Sequence, residues 1–253
     1  MFPRRSTTRG HRAAALMLVT LTSGCFGPIF LRGEEIRGRV IDEAGAPLND
    51  AAVAVSWLLT GLEGVHVRYL EVAETTTDER GDFRFASWGP RLRWPLWLAA
   101  LESNQPDIWI FKPGYEAEYS WNGRWLPNAP HQRPWRQSMH DNVMVALRRH
   151  DSMTPEYIRS LDHFAWLLDG EFFGLFIYRP SFCSWEHIPH LIGAVLHEED
   201  RVSVARPRGP QDERARAGRA HPYEFEEDYA SKWANAAKYR GCKPFSGVVN
   251  ATR

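Results

Sequence analysis

Three histidines, a glutamate and a cysteine stand close together in the second half of this 253-residue chain, and they set the chemical question. "HIPH" carries His187 and His190, and "HEED" carries His197 and Glu198. Two ligand spacings known from zinc peptidases are a His-x-x-Glu pair with a distant histidine and the His-Glu-x-x-His helix motif, the latter placing two ligands on one face beside a carboxylate that activates water. Neither spacing fits, and "HEED" lacks the second histidine of the helix motif. His190 and His197 are seven residues apart on one helical face. Partly exposed helix histidines are the expectation there, with metal ligation as the alternative. Cys183 has His187 at helical spacing and Ser181 and Ser184 beside it, a pattern in which an imidazole could activate a thiol. A second cysteine, Cys242, favours a bridge instead, and no Gly-x-Ser-x-Gly elbow occurs. No enzyme, catalytic residue, metal or cofactor is therefore expected, and no nucleotide-binding glycine loop is present.

The other surplus is aromatic. Trp121, Trp125 and Trp135 fall within fifteen residues of Pro/Asn/Gly-rich sequence near Tyr115 and Tyr119, and Trp88, Trp94 and Trp97 sit in a second irregular stretch. Rings held on loops can stack on sugars or bind peptide, which makes Trp121, Trp125, Trp135 and Tyr115 candidate ligand contacts. The other reading folds these loops back and buries the rings. A basic stretch holds Arg206, Arg208, Arg214, Arg216 and Arg219 with Asp212 and Glu213 between them. A solvated loop is the expectation, and docking of acidic glycan or lipid head groups is the alternative.

The N-terminus says where these residues work. Arg4, Arg5, Arg9 and Arg12 precede the apolar run "AAALMLVTL", with no acid among the first 24 residues. That is the layout of a secretory signal, and nine apolar residues are about half of the roughly 20 a spanning helix needs. Ser23 and Gly24 before Cys25 resemble a bacterial lipobox, although Thr22 stands where leucine is usual. The resemblance implies that residues 1–24 are removed and Cys25 is lipidated; ordinary secretion with cleavage nearby is the other reading. Phe26, rather than Asp, after the cysteine implies the outer membrane, with the protein facing the periplasm. After cleavage 27 basic residues face 31 acidic ones, so no nucleic-acid partner is expected. Membrane contact through the N-terminal lipid and a glycan or envelope protein are the partners that remain. In an oxidising compartment Cys183 and Cys242 form an even pair. A bridge closing that loop of about 60 residues stabilises by roughly 4 kcal/mol.

The elements that position these residues divide in two. After a tether at 25–35, residues 36–150 read as short strands. "EIRGRVID" alternates and ends at the Gly/Pro turn "EAGAPLND"; "AAVAVSWLL" alternates; "GVHVRYLEVAETTT" puts Val65, Val67 and Tyr69 on one side. "TTTDERGDFRF" is a hairpin, with Gly81 supplying a turn conformation, Asp78 bonding turn amides, and Phe83 and Phe85 facing the core. "PDIWIFKPGYEAEYSW" and "NVMVALRRH" add further strands. Residues 151–253 read as a helical segment. In "TPEYIRSLDHFAWLLDG" Thr154 is the cap, Pro155 the first helical residue, and Tyr157, Ile158, Leu161, Ala165 and Leu168 the apolar face. "SWEHIPHLIGAVLHEEDR" and "YEFEEDYASKWANAAKYR" predict two more helices, separated by a mobile charged loop at about 204–221. The expectation is an α+β chain: an antiparallel β-sandwich followed by a small helical segment.

The run "IRGRVIDEAGAPLNDAAVAV", then "TTTDERGDFRF", then "FKPGY" resembles the carboxypeptidase regulatory-like domain, a transthyretin-like sandwich of many bacterial envelope proteins. The matching positions are Gly38, the Asp42 to Pro47 turn with Ala51 and Val53, Thr77-Asp78, Gly81-Asp82-Phe83 and Gly114-Tyr115. The resemblance covers about 110 residues and implies about seven strands and no catalysis, because in metallocarboxypeptidases this domain only accompanies the catalytic one. The aromatic insertion "WGPRLRWPLWLAALESN" departs from the family. The function so implied is a lipid-anchored, non-catalytic binding or structural role in the cell envelope. A carbohydrate- or peptide-binding module using the loop tryptophans, and a periplasmic hydrolase accessory or enzyme, are the alternatives.

Overall fold

A computed structural model describes residues 30–61, 66–92, 99–101, 106–121, 138, 140–150, 154–173 and 184–205. Its strands are β1 (Phe30–Gly33), β2 (Ile36–Asp42), β3 (Ala52–Gly61), β4 (His66–Thr76), β5 (Asp82–Phe85), β6 (Trp88–Leu92), β7 (Ala99–Leu101), β8 (Asp107–Phe111), β9 (Glu118–Trp121) and β10 (Val143–Leu147). Two helices follow, α1 (Pro155–Leu168) and α2 (Pro189–Ala205), with a π-helical turn at Asp169–Phe173 and a 3-10 turn at Ser184–His187.

The hairpin turn sets the first register. Asp78 Oδ1 accepts the amides of Arg80 and Asp82, both at 2.9 Å, and Gly81 sits at φ +75°. A Cβ on Gly81 would lie 2.3 Å from the Val40 carbonyl oxygen, so this position needs glycine for space as well as for conformation. The preceding turn is built alike, with Asp42 Oδ1 accepting Ala44 N at 2.9 Å and Ala46 N at 2.7 Å. Buried Thr77 ties the two together, donating to the Leu48 carbonyl at 2.6 Å and accepting Ala51 N at 2.9 Å.

One sheet has the order β10-β2-β5 and the other runs β4-β3-β8-β9, with β7 also on β3. Between them lies a core of Ile36, Val40, Val53, Val55, Trp57, Phe83, Phe85, Ile108, Ile110, Val145 and Leu147. Phe83 and Phe85 thus face inward together. The α+β class, the sandwich and the small helical part are as expected. Eight strands lie in the two facing sheets among the described residues, close to the seven or so expected, and β1 pairs with β6 in a separate ribbon; one pairing departs from the antiparallel pattern. β10 pairs with β2 in parallel, Val143 opposite Gly38, because the chain crosses from the other sheet between β9 and β10 instead of turning in a hairpin.

A third layer explains a departure in β3. "AAVAVSWLL" reads as an alternating strand, and Ala51 to Leu59 are buried on both faces. The helices cover the outer side of β4-β3-β8-β9 through Ala52, Ala54, Val72, Trp109 and Phe111, which pack with Tyr157, Leu161, Phe164, Leu168, Trp185, Ile188, Leu191, Ile192 and Val195. Small Ala52 and Ala54 let helices approach, while Trp109 and Phe111 fill the space beside them. Tyr69 also faces this layer, stacking on Phe172 with centroids 5.8 Å apart. α1 begins as predicted, with Thr154 Oγ1 accepting Tyr157 N at 3.2 Å and Pro155 first in the helix. The helix expected from Ser184 onward divides instead, because Pro189 has no N–H to continue a preceding turn and opens α2 afresh. No helix among the described residues is long and apolar enough to cross a membrane.

The third predicted helix lies outside the described residues, as do Cys25, Cys183 and Cys242 and nearly all of the predicted loop at 204–221.

Candidate functional site

Strand alternation places Arg37, Arg39 and Arg84 on the outer face of β10-β2-β5. Arg37 and Arg84 are direct register partners, an arrangement of like charges that costs stability unless something intervenes. Glu35 intervenes: one carboxylate oxygen accepts from Arg37 Nε and the other lies 2.9 Å from Arg84 Nη2. In the next outward-facing row Arg39 grips Asp82 with both ends of its fork, Nε to Oδ1 at 2.6 Å and Nη2 to Oδ2 at 3.1 Å. The hydrogen bond from Arg37, then that from Arg84, holds the Glu35 carboxyl below its ordinary range, and Arg39 does the same for Asp82. Thr75, Thr76, Asp78, Asn142 and Met144 complete an open hollow of about 710 Å³ over these rows. Met144, 62% exposed, gives it an apolar side.

A second group of charges is buried between the layers and serves attachment. Glu74 on β4 receives the first amides of α2, His190 N at 2.9 Å and Leu191 N, and also contacts His190 Nδ1 at 3.1 Å. A carboxylate from another element thus caps the positive end of the helix. Farther along α2, fully buried Glu198 accepts from the Tyr157 hydroxyl, from Arg201 Nε at 2.7 Å and Nη2, and from Gly114 N at 3.3 Å. Burial works against the charge on Glu198, but the hydrogen bonds from Arg201 and Tyr157 outweigh it and the pKa falls. The same burial, helped by the anionic neighbour, raises the Tyr157 hydroxyl, which stays protonated as a donor. Gly114, at φ +81°, belongs to "FKPGY", so the turn that carries the family resemblance is also where the helices are fastened.

His140 is another buried titratable group. Burial pushes it down to about 4, and a hydrogen bond to the Pro106 carbonyl only partly opposes this. Its unfolded pKa is about 6.5, so the unfolded chain binds the extra proton first as pH falls. Stability from this group is fully present above pH 6.5 and is lost as pH falls from there toward 4, by about 3 kcal/mol. His140→Leu should flatten that slope in urea titrations run between pH 7 and pH 4; an unchanged slope would assign it elsewhere.

The chemically suggestive residues do not converge. His187, His190 and His197 are exposed, whereas Glu198 points inward to Tyr157 and Arg201. Among the described residues no three His, Cys, Asp or Glu side chains gather as a metal site would require. Of the aromatic candidates, Tyr115 is half-buried against the sandwich core, and its backbone bridges Arg149. Trp121 ends β9 opposite Asp107, while Trp125 and Trp135 lie outside the described residues. Trp88 packs inward, edge-on to Trp57 at 5.4 Å, which is the folded-back outcome for that ring. The arginine rows were missed by sequence reasoning. Their signal was visible as Arg37, Arg39 and Arg84 alternating with core residues, but nothing marked that face as concave.

No described protein family matches the sequence, and no curated protein matches it. Among the solved structures similar over part of the chain are three dioxygenases. 3-Chlorocatechol 1,2-dioxygenase from Rhodococcus opacus 1CP is 20% identical over 46% of this chain, with a TM-score of 0.28. Chlorocatechol 1,2-dioxygenase from Pseudomonas putida is 14% identical over 49%, also at 0.28. Catechol 1,2-dioxygenase from Pseudomonas arvilla C-1 is 14% identical over 53%, at 0.29. This chain covers 60%, 62% and 56% of those proteins, less than two thirds of each. At these values neither an architecture nor a reaction carries over. The expected non-catalytic binding or structural role stands corrected beside these neighbours, which are dioxygenases, and is not carried forward.

Proposed function

We propose that the chain is exported, held at the outer membrane by a lipid on Cys25, and acts there through the hollow over β10-β2-β5, which takes a small carboxylate- or phosphate-bearing molecule. The observation that carries the ligand class is the arginine pattern. Three half-exposed guanidinium groups line one hollow, and none uses more than two nitrogens on a carboxylate among the described residues. Each has five N–H donors in a planar fork suited to an oxyanion. The ion pairs already present are exposed and screened by solvent, so an incoming anion can exchange for Glu35 or Asp82 at small cost. Met144 would contact an apolar part of the same ligand.

Calorimetric titration with inorganic phosphate and with citrate tests this. Saturable binding of at least one, with Kd on the order of 1 mM, is expected. Arg84→Ala should weaken it about fivefold, the effect of about 1 kcal/mol. Absence of saturable binding by either anion would remove the hollow as the site of action.

A further inference from the structure

We infer that the β1–β6 ribbon is the surface that rests on the bilayer. Phe30 and Leu92 are direct partners across this ribbon and are 58% and 46% exposed, two of the large exposed apolar side chains of the described body. The other two, Met144 and Trp166, lie on different elements, Met144 on β10 and Trp166 on α1. Cross-strand partners project from one face, so Phe30 and Leu92 form a single apolar patch. Arg32, two residues along β1 and therefore on the same face, is also exposed and suits a phosphate-rich boundary.

The opposite face of the ribbon is fixed. Leu31 is fully buried, the Trp88 indole occupies the space a Cβ on Gly33 would need, and Arg91 pairs with Glu71 and donates to the Leu70 carbonyl at 2.6 Å. A patch held this way moves with the body instead of swinging independently. Its position in the chain names its occupant. Four residues lie between Cys25 and Phe30, five steps along the chain that span at most about 17 Å when fully extended. This inference rests on the reading that Cys25 is lipidated: the lipid then brings this patch, which contains the exposed large apolar side chain nearest to Cys25 in the described sequence, to the membrane surface. The acyl chains supply anchorage, and Phe30 and Leu92 supply orientation.

The test uses the full lipidated chain on vesicles of phosphatidylethanolamine and phosphatidylglycerol, with a diazirine-bearing phosphatidylethanolamine as the photoreactive probe. Peptides containing 30–32 and 90–92 should be labelled about tenfold more than peptides containing 143–147. F30D/L92D, which alters only exposed side chains, should still float with the vesicles through its lipid but lose that preference. Wild type lacking a lipid on Cys25, or floating equally well as Cys25→Ser, would overturn the anchoring reading and this inference with it. Lipidated, vesicle-bound wild type labelled no more on the ribbon than on 143–147 would overturn this inference alone.

Discussion

Replacing Glu198 with alanine should lower the stability of the protein by about 3–4 kcal/mol, close to the loss seen when one partner of a buried ion pair is removed. Two groups lose their acceptor at once, the Tyr157 hydroxyl and the Arg201 guanidinium, and the Gly114 amide keeps only its bond to the Tyr157 hydroxyl at 2.9 Å. For a body of this size that corresponds to a fall in Tm of roughly 10 °C. Glu198→Gln keeps an acceptor for Tyr157 and Gly114 and should lose less. The acid limb of the stability curve supplies a second measure. The folded pKa of Glu198 lies below its unfolded value of about 4.3, so its contribution is present above that pH and is lost as pH falls through the lowered folded value. Glu198→Ala should lack that part of the acid response. Urea unfolding of the three chains decides the matter, and an alanine variant as stable as wild type would mean that α2 is not fastened at Gly114.

Trp109→Ala should cost about 4 kcal/mol, within the range for emptying a fully buried tryptophan site. Trp109 lies at the centre of the helix-facing layer, with ring centroids 4.1 Å from Tyr119, 5.8 Å from Phe164 and 5.5 Å from Phe172. Its neighbour Ile110 points into the other core, and Ile110→Ala should cost about 3 kcal/mol. Because β8 supplies both cores, each variant should melt strands and helices together in one transition followed by circular dichroism. A Trp109→Ala chain whose helical signal is lost at a lower temperature than its strand signal would show that the helices are a separate cooperative unit.

Local chemistry was legible in the sequence where it was self-contained. Asp78 and the Phe83/Phe85 alternation carry their explanation within eight residues, as does the turn conformation of Gly81, and Thr154-Pro155 announces its helix for the same reason. What depended on a distant partner was not legible. Glu74 looks like any strand carboxylate until α2 begins beneath it, and Glu198 in "HEED" suggested chemistry when its role is to reach Gly114. The double burial of β3 was hidden because a strand covered by helices loses its polar alternation only after the third layer is known. The parallel placement of β10 was equally silent, since nothing in "NVMVAL" tells which edge it will join.

That last placement governs how the molecule is made. The sheet β10-β2-β5 joins residues about 100 positions apart, Val143 beside Gly38, so its central strand β2 lacks one neighbour until the chain has been delivered well past its midpoint. Pairings this distant must close a long loop before any contact rewards them, which makes assembly slow relative to helical proteins of similar length. A polypeptide threaded outward from its N-terminus would therefore emerge with β2, β5 and their apolar sides still unsealed. Its early fragments would be the species most prone to aggregate, and the most dependent on a holding chaperone, until residue 147 arrives.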